Sequence, residues 1–325
     1  MSEALVLKEF GDSSVLRIEE VKVDAPGSQQ LRIRQSAIGV NFHDIYVRSG
    51  LYNTLQLPGI PGCEAAGEVL EVGEGVVDFS VGQRVAYVTG PPYGAYATER
   101  LLPVDVAAPI PDDLSDELVA GNLLRAMTAD MLVNKTCQLR SGMTVLVHAA
   151  AGGVGRLLCQ MASRAGATVI GTVGTPEKAQ LAKALGCIHP ILYREVDFTE
   201  VVQDITKGKG VDVVYDSVGI DTFKGSMAVL AKRGHLVNFG QSSGPVEPVL
   251  MASLAEKSLT LSRPILFHYL EDAAEYQHAA TSVMKMLANG TLAAEQPDAF
   301  TLSNAAGAHD FLESRKATKS VILTT

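Results

Sequence analysis

The stretch His148-Ala149-Ala150-Ala151-Gly152-Gly153-Val154-Gly155 decides the fold of this 325-residue chain. It joins an apolar run over residues 144–150 to a segment with helical apolar spacing over 154–165. Positions 150, 152 and 155 have the G-x-G-x-x-G spacing, with alanine in the first place. Gly152 would let the backbone approach a pyrophosphate, and Gly155 would let the helix pack closely on the strand. A tight turn without a ligand also favours glycine, but the position between a strand and a helix indicates dinucleotide binding.

Strand-like and helix-like segments alternate on the C-terminal side of this turn. Strands are predicted over 144–150, 168–173, 211–216, 235–239 and 258–262, and helices over 154–165, 176–185, 198–206 and 222–231. Strands that alternate with helices of this length predict βαβ units. The fold class is therefore α/β with a doubly wound parallel sheet.

The first third of the chain has a different pattern. Residues 31–37 alternate between apolar and polar, and glycine and proline interrupt the short apolar runs around them. This pattern predicts a compact, barrel-like β unit. Helices are predicted over 116–132 and 270–287. Pattern alone does not place the C-terminal segment.

Composition excludes several classes of protein. Lys and Arg number 27 against 36 Asp and Glu, so the net charge of −9 argues against a dedicated nucleic-acid binder. The apolar stretch 144–154 is interrupted by His148 and is far shorter than the ~20 residues of a membrane span. Residues 1–10 carry Glu3, Lys8 and Glu9 and contain no apolar h-region, so we do not expect a secretory signal. The four cysteines are scattered, so we expect a reducing, cytoplasmic setting.

The end of the second predicted strand indicates the cofactor. An NAD site usually has a carboxylate there to bind the ribose 2′-hydroxyl. Here the sequence is Thr172-Val173-Gly174-Thr175-Pro176-Glu177-Lys178, in which small residues leave space and Lys178 supplies a cation. This favours NADPH over NADH. The alternative is that Lys178 is an ordinary solvated helix lysine, and Glu177 keeps that alternative open.

Candidate metal ligands are few. Zinc needs sulfur or imidazole ligands that converge from separate segments, and only His43 and Cys63 are candidates. Both are more simply explained as packed side chains, so no metal is expected. No P-loop or H-E-x-x-H motif occurs. The cofactor would then carry the chemistry.

Motifs along nearly the whole chain resemble the zinc-independent, zeta-crystallin-like NADPH:quinone oxidoreductases of the medium-chain dehydrogenase/reductase superfamily, and the bacterial ones most closely. They include residues 39–46 (GVNFHDIY), 48–52 (RSGLY), 148–155 (HAAAGGVG), 171–175 (GTVGT), 214–219 (VYDSVG), 238–244 (NFGQSSG) and 312–315 (LESR). The resemblance implies a GroES-like catalytic domain over 1–122, a Rossmann domain over 123–264 and a return segment over 265–325 that completes the first domain. The active cleft would lie between the domains.

The resemblance also implies the site residues. In zinc-dependent relatives a cysteine stands at the position of Asn41 and a histidine at that of Cys63, so both metal ligands are replaced here. Catalytic roles are implied for Asn41, Tyr46 and Tyr52. Cofactor binding is implied for Asn41, Thr128, Gly152, Gly153, Val154, Gly174, Lys178, Tyr193, Ser217, Phe239, Gly240, Ser242, Leu266 and Arg315. Tyr193 and Arg315 could each instead be a surface packing residue. Arg125 and Asp130 depart from the family pattern, which would affect the choice of substrate.

The function implied is NADPH-dependent reduction of a quinone by hydride or electron transfer from the nicotinamide, with the proton supplied by water or a tyrosine hydroxyl. One alternative is reduction of the C=C bond of an enone or 2-alkenal. Another is a nucleotide-dependent RNA-binding or structural protein, which the acidic balance disfavours. Residues 258–262 form an uncharged edge strand, so we also expect a homodimer.

Replacing Lys178 tests the cofactor assignment. Lys178→Ala should raise the Michaelis constant for NADPH and leave that for NADH nearly unchanged, because only NADPH carries the 2′-phosphate. A charge-assisted contact contributes ~1.5–3 kcal/mol, which corresponds to about 10- to 150-fold. Steady-state kinetics with both cofactors measure the difference, and equal effects would assign Lys178 to general electrostatics.

Overall fold

The computed structural model describes residues 2–325, which divide into two units. The first unit contains residues 2–127 together with 267–325, and the second contains 128–266. No helix among residues 2–325 combines the length and the apolar character needed to cross a membrane.

The N-terminal part of the first unit is built from antiparallel strands. Its elements are β1 (Ser2–Val6), β2 (Arg17–Val21), β3 (Gln30–Val40), α1 (Phe42–Arg48), β4 (Glu64–Val72), β5 (Arg84–Val88), β6 (Glu99–Pro103), β7 (Ala108–Pro109) and α2 (Asp116–Ala120). β1 pairs with β2, whereas β3 pairs with both β4 and β6. β3 continues three residues past the predicted 31–37 because residues 37–40 pack on both faces, where alternation no longer marks a strand.

Helix α1 begins directly after β3 because its first turn is capped. The backbone N–H of Asn41 donates to Oδ2 of Asp44 at 2.7 Å, which is one half of a capping box. Close packing holds the preceding strand: a Cβ on Gly39 would lie 2.3 Å from the carbonyl oxygen of Ala120 in α2. Glycine is therefore required where α2 packs on β3.

The second unit is a six-stranded parallel sheet with flanking helices. Its elements are α3 (Leu123–Asp130, which begins in the first unit), a π-helix (Met131–Thr136), β8 (Thr144–Val147), α4 (Gly153–Arg164), β9 (Thr168–Val173), α5 (Pro176–Ala184), β10 (His189–Leu192), α6 (Phe198–Thr206), β11 (Val211–Asp216), α7 (Ile220–Ala228), β12 (Leu230–Asn238), α8 (Ala252–Ala255) and β13 (Thr260–Ser262). The strand order is β10-β9-β8-β11-β12-β13, which is the Rossmann order. Leu146, Ile170, Val214 and Leu236 form its buried centre. The predicted doubly wound parallel sheet is confirmed.

Several predicted boundaries differ from the structure. The helix predicted over 116–132 is two helices, because α2 ends at Ala120 and α3 starts at Leu123. The helix predicted over 222–231 ends at Ala228, and β12 begins at Leu230. β10 was not predicted, since its four residues His-Pro-Ile-Leu include a proline and show no alternation.

The C-terminal segment, which pattern could not place, belongs to the first unit. After a 3-10 helix (Leu266–Tyr269) it forms α9 (Ala273–Ala288), β14 (Asp298–Thr301), α10 (Ala305–Glu313) and β15 (Val321–Thr324). β15 pairs antiparallel with β3, opposite the edge that meets β4, and β14 pairs parallel with β15. The sheet is therefore completed by residues nearly three hundred positions later in the sequence than β3.

An ion pair between buried Arg48 and exposed Glu313 fastens α10 to α1. The guanidinium of Arg48, of which only 3% is exposed, donates to both carboxylate oxygens of Glu313 at 3.0 and 3.2 Å. It also lies 3.3 Å from Nδ1 of His309, whose Nε2 lies 2.8 Å from the hydroxyl of Tyr96. Burial, together with Arg48, lowers the pKa of His309 to about 3, so this imidazole is neutral and accepts from Arg48.

Removing the carboxylate of Glu313 tests this connection. Glu313→Gln should lower the free energy of unfolding by about 1–3 kcal/mol, because a charged acceptor is lost from a buried guanidinium. The exposed Glu9→Gln is the control, with an expected change below about 0.5 kcal/mol. Urea denaturation measures both, and equal stability of the two variants would show that the pair does not hold the C-terminal segment.

Candidate functional site

The glycine-rich turn has the geometry of a phosphate cradle. Gly152 is the N-cap of α4, and its N–H donates to the carbonyl oxygen of Ala149 at 2.8 Å. A Cβ on Gly155 would lie 2.2 Å from that same oxygen, so no side chain fits there. The N–H groups of Gly153 and Val154 lie in the first helical turn, where an α-helix offers no acceptor, and both residues are partly exposed. The turn therefore fits the pyrophosphate of a dinucleotide.

A second group of candidate residues lies where β9 ends. A Cβ on Gly174 would lie 3.3 Å from the hydroxyl of Tyr193 and 3.5 Å from Nε of Arg194. Thr175 caps α5 by accepting from the backbone N–H of Lys178 at 3.3 Å. The structure thus brings Gly174 and Tyr193 together and adds Arg194, which sequence reasoning missed. The sequence feature that could have indicated Arg194 is its positive charge directly after Tyr193.

The third group lies at the carboxyl ends of β11 and β12. The N–H of Ser242 donates to the carbonyl oxygen of Ser217 at 3.2 Å, and a Cβ on Gly240 would lie 2.7 Å from that oxygen. Phe239 is adjacent, because its N–H donates to the carbonyl oxygen of Asp216 at 2.8 Å. These strands follow β8 in the sheet, so the residues lie on the edge where open parallel sheets bind ligands.

Three further cofactor candidates lie outside these groups. Thr128 is buried in α3, and Leu266 is the first residue of the 3-10 helix before α9. Arg315 follows α10 in the first unit with a left-handed φ of 59°.

Buried polar residues around the sheet have structural roles. The carboxylate of Asp216 accepts from Thr222, from Ser226 and from two backbone N–H groups. His148 lies 3.0 Å from the hydroxyl of Thr172 and 2.9 Å from that of Ser226. Burial lowers the pKa of His148, so its ring is a neutral bridge between β8 and its neighbours.

In the first unit, Glu64 fixes the side chain of Asn41. Nδ2 of Asn41 donates to Oε1 of Glu64 at 2.7 Å, and the N–H of Leu124 donates to Oε2 at 2.7 Å. Because a carboxylate accepts, the amide nitrogen of Asn41 faces Glu64 and the amide oxygen faces the other way. Burial raises the pKa of Glu64 to about 7, while Arg125 opposes the shift.

Arg125, a departure from the family pattern, is a structural residue. Its guanidinium donates to the carbonyl oxygens of Gly121 and Val40, each at 2.7 Å. Asp130, the other departure, accepts from the side chain of Asn134 at 2.8 Å. Neither contact involves a candidate site residue.

The two candidate zinc ligands do not have metal-binding surroundings. Burial raises the pKa of Cys63 well above its usual range, so the sulfur is a neutral thiol rather than a thiolate. No group of three or more His, Cys, Asp and Glu side chains among residues 2–325 is arranged to hold a metal ion. His43 instead lies among aromatic rings.

These rings form a cluster around α1 that sequence reasoning found only in part. The His43 ring cluster consists of His43, Tyr46, Tyr52, Tyr93 and Phe267. Ring centroids of Tyr46 and Tyr52 are 4.9 Å apart, and His43 lies 5.4 to 5.6 Å from Tyr52, Tyr93 and Phe267. The backbone N–H of Tyr52 donates to the carbonyl oxygen of Tyr46 at 2.9 Å, which folds the loop back onto the helix. Tyr93 and Phe267 carried no local signal, because only the tertiary fold brings them to α1.

The raised pKa of Glu64 predicts how stability depends on pH. Between the ordinary value of 4.5 and about 7, the folded state keeps a proton that the unfolded state has lost, so stability falls as pH rises through this window. The contribution is on the order of 3 kcal/mol. Glu64→Gln lacks this titration, so urea denaturation at about pH 5 and about pH 8 should show a smaller loss of stability than in the wild type. Parallel pH profiles of the two proteins would contradict the raised pKa of Glu64.

Comparison with known proteins identifies the family. Residues 27–112 match the alcohol dehydrogenase GroES-like domain, and residues 153–285 match the zinc-binding dehydrogenase family. A 2-haloacrylate reductase from Burkholderia is 43% identical, with 99% of each chain covered.

Two solved structures are similar over the whole chain. A quinone oxidoreductase from Pseudomonas syringae has a TM-score of 0.96 at 42% identity, with 100% of each chain covered. The Escherichia coli quinone oxidoreductase in complex with NADPH has a TM-score of 0.95 at 39% identity and covers 99% of this chain and 100% of its own. With this similarity along its full length, the chain belongs to the quinone oxidoreductase family of the medium-chain dehydrogenase/reductase superfamily.

Proposed function

We propose that this chain is an enzyme that reduces quinones with NADPH. The observation that carries the proposal is the match of 99% of the chain to a quinone oxidoreductase solved with NADPH. The glycine turn and the His43 ring cluster support it independently, since one fits a dinucleotide and the other offers flat surfaces to a planar acceptor. Bound NADPH supplies a hydride from the nicotinamide ring.

The residues of the second unit hold the cofactor. The N–H groups of Gly153 and Val154 bind the pyrophosphate at the N-terminus of α4, and Gly152, which has no side chain, lets the pyrophosphate approach the backbone. The adenosine end with its 2′-phosphate is held by Gly174, Lys178 and Tyr193, and Arg315 is a further candidate for this role. Ser217, Phe239, Gly240, Ser242, Thr128 and Leu266 contribute to the nicotinamide end.

The residues of the first unit orient the acceptor. Glu64 holds the amide of Asn41 so that its oxygen can accept a hydrogen bond from the nicotinamide amide or from the substrate. The rings of Tyr46 and Tyr52 stack on a planar quinone. A quinone accepts hydride readily, so orientation rather than strong polarisation is what the site must provide.

A second candidate function is reduction of an activated C=C bond. The observation that favours it is the 43% identity to a 2-haloacrylate reductase. An enone or haloacrylate resembles a quinone in being an electron-poor conjugated acceptor, so the same cofactor arrangement serves both. No observation favours the RNA-binding or structural alternative, and the net charge of −9 opposes it.

An acceptor panel tests the proposal. Oxidation of NADPH is followed with quinones, enones and 2-haloacrylate, the products are identified, and each assay is repeated after exhaustive chelation. We expect the highest kcat/KM with a quinone and no effect of chelation, because Asn41 and the neutral Cys63 thiol are poor zinc ligands. A higher kcat/KM with an enone than with the quinones would favour the second candidate function, reduction of an activated C=C bond. Activity that is lost on chelation and restored by zinc would overturn the metal-independent mechanism.

The assembly that fits this fold is a homodimer. β13 is the last strand of the parallel sheet, and its residues Thr260, Leu261 and Ser262 carry no charge. Such an edge is suited to pairing with its equivalent in a second copy. Light scattering at micromolar concentration should give the dimer mass, and a monomer would refute the proposal. The setting proposed for this dimer is the cytoplasm.

Substitutions of Tyr46 and Tyr52 distinguish ring stacking from proton donation. If Tyr52 serves through its ring, Tyr52→Phe should keep its activity and Tyr52→Ala should raise the Michaelis constant for the quinone, without a change in NADPH affinity. If its hydroxyl donates to the carbonyl oxygen of the acceptor, Tyr52→Phe should lower turnover. We expect the ring result, because the 4.9 Å ring contact with Tyr46 places Tyr52 in an aromatic wall that is suited to stacking. The same pair of substitutions at Tyr46 gives the comparison, and wild-type kinetics for all four variants would remove both residues from the site.

A further inference from the structure

A chain of polar side chains runs through the His43 ring cluster to the surface. Nε2 of His43 lies 3.0 Å from the hydroxyl of Tyr93, and this hydroxyl lies 2.6 Å from Oγ1 of Thr54. Tyr93 is 2% exposed, whereas Thr54 is exposed to solvent. Three groups that both donate and accept protons therefore link solvent to an imidazole that contacts Tyr52 and Phe267.

The hydrogen bonds of this chain can run in two directions. In one, Nε2–H of His43 donates to Tyr93, Tyr93 donates to Thr54, and the Thr54 hydroxyl faces the carbonyl oxygen of Tyr52 at 3.5 Å. In the other, Thr54 donates to Tyr93, Tyr93 donates to Nε2, and the proton of the imidazole is on Nδ1. Conversion of one into the other moves a proton along the chain without leaving a charge on any member.

The protonation states of the residues suit such a transfer. Burial lowers the pKa of His43 to about 4, so the ring is neutral and has one N–H and one lone pair. Burial also raises the pKa of Tyr93, so this residue keeps its phenolic proton and must take up one proton as it gives another.

Quinone reduction requires a proton that NADPH does not supply. Addition of a hydride to a quinone gives a hydroquinone monoanion, and one further proton completes the hydroquinone. On the basis of the proposed function, we propose that His43 gives this proton from Nδ1 and is reprotonated at Nε2 through Tyr93 and Thr54. The acceptor oxygen gains the proton, Tyr93 passes its own to His43, Thr54 replaces that of Tyr93, and solvent replaces that of Thr54. After the product leaves, water reprotonates Nδ1 while Nε2 returns its proton through Tyr93 and Thr54 to solvent, which restores the donating tautomer. In sum, NADPH, quinone and one proton give NADP⁺ and hydroquinone.

Tyr93→Phe and Thr54→Val interrupt the chain at two points. Tyr93→Phe keeps the ring beside His43 and removes only the hydroxyl. Thr54→Val changes an exposed residue with little change in shape, so it keeps the proposal testable if the buried variant does not fold. Thr318→Val, at an exposed position outside the chain, is the matched control.

The experiment uses quinones whose hydroquinones differ in acidity. For 1,4-benzoquinone, Tyr93→Phe should lower kcat by about 100-fold, the low end of typical general-acid contributions. Thr54→Val should lower it less, since a water molecule can replace an exposed hydroxyl. For chlorinated benzoquinones, whose reduced anions need the proton less, both losses should shrink. The affinity for NADPH, measured by fluorescence titration, and the Thr318→Val rates should stay at wild-type values.

The solvent isotope effect is the second readout. The wild type should turn over 1,4-benzoquinone more slowly in D₂O, and this isotope effect should decrease along the chlorinated series. An equal loss of kcat for all quinones would show that Tyr93 and Thr54 only support the fold and would overturn the relay, as would unchanged kcat in both variants. If the wild type reduces no quinone, both the proposed function and the relay are wrong. The wild-type rates alone distinguish this outcome from a failure of the relay only.

Discussion

The first unit depends on one buried carboxylate. Glu64 lies on β4, and its two oxygens accept from the side chain of Asn41, which precedes α1, and from the backbone of Leu124, which lies in the first turn of α3. A buried carboxyl group without partners would cost several kcal/mol, so these two donors and the nearby Arg125 are what make the position tolerable. Three elements are thereby held at one point. The direction of α1, and with it the positions of His43, Tyr46 and the loop to Tyr52, follows from this arrangement.

The same carboxylate links structure to chemistry. Glu64 orients the amide of Asn41, so that the amide oxygen is available as a hydrogen-bond acceptor. The family resemblance implies that zinc-dependent relatives have a metal-binding thiolate at this position instead. Arg125 supports the arrangement by tying together the carbonyl oxygens of Val40 and Gly121, on β3 and after α2. Arg125 departs from the family pattern, and its contacts indicate that this departure affects the structure around Glu64 more directly than it affects the substrate.

Local patterns in the sequence predicted the parallel sheet well, because each strand and helix of a βαβ unit carries its own periodicity. Gly155 shows why the central motif was reliable: its missing side chain is required by a carbonyl oxygen six residues away, and such short-range constraints are visible in sequence. β15 could not be predicted in this way, since its partner β3 lies at the other end of the chain. The same distinction between local and long-range constraints applies to the site residues. Tyr46 and Tyr52 lie within one motif, whereas Tyr93 and Phe267 reach the His43 ring cluster only through the fold.

The polar groups around α1 explain why orientation and proton supply are the requirements of this site. Asn41 offers a neutral amide, and the Cys63 thiol remains protonated, so neither places a positive charge beside the acceptor. Arg48 pairs with Glu313, and Arg125 donates to backbone carbonyls and lies close enough to Glu64 to oppose the rise in its pKa. Negative charge that develops on an acceptor oxygen is therefore best relieved by a proton. An acceptor that takes hydride without strong polarisation and then needs one proton, such as a quinone, suits this distribution of charge better than an alcohol or a simple ketone does.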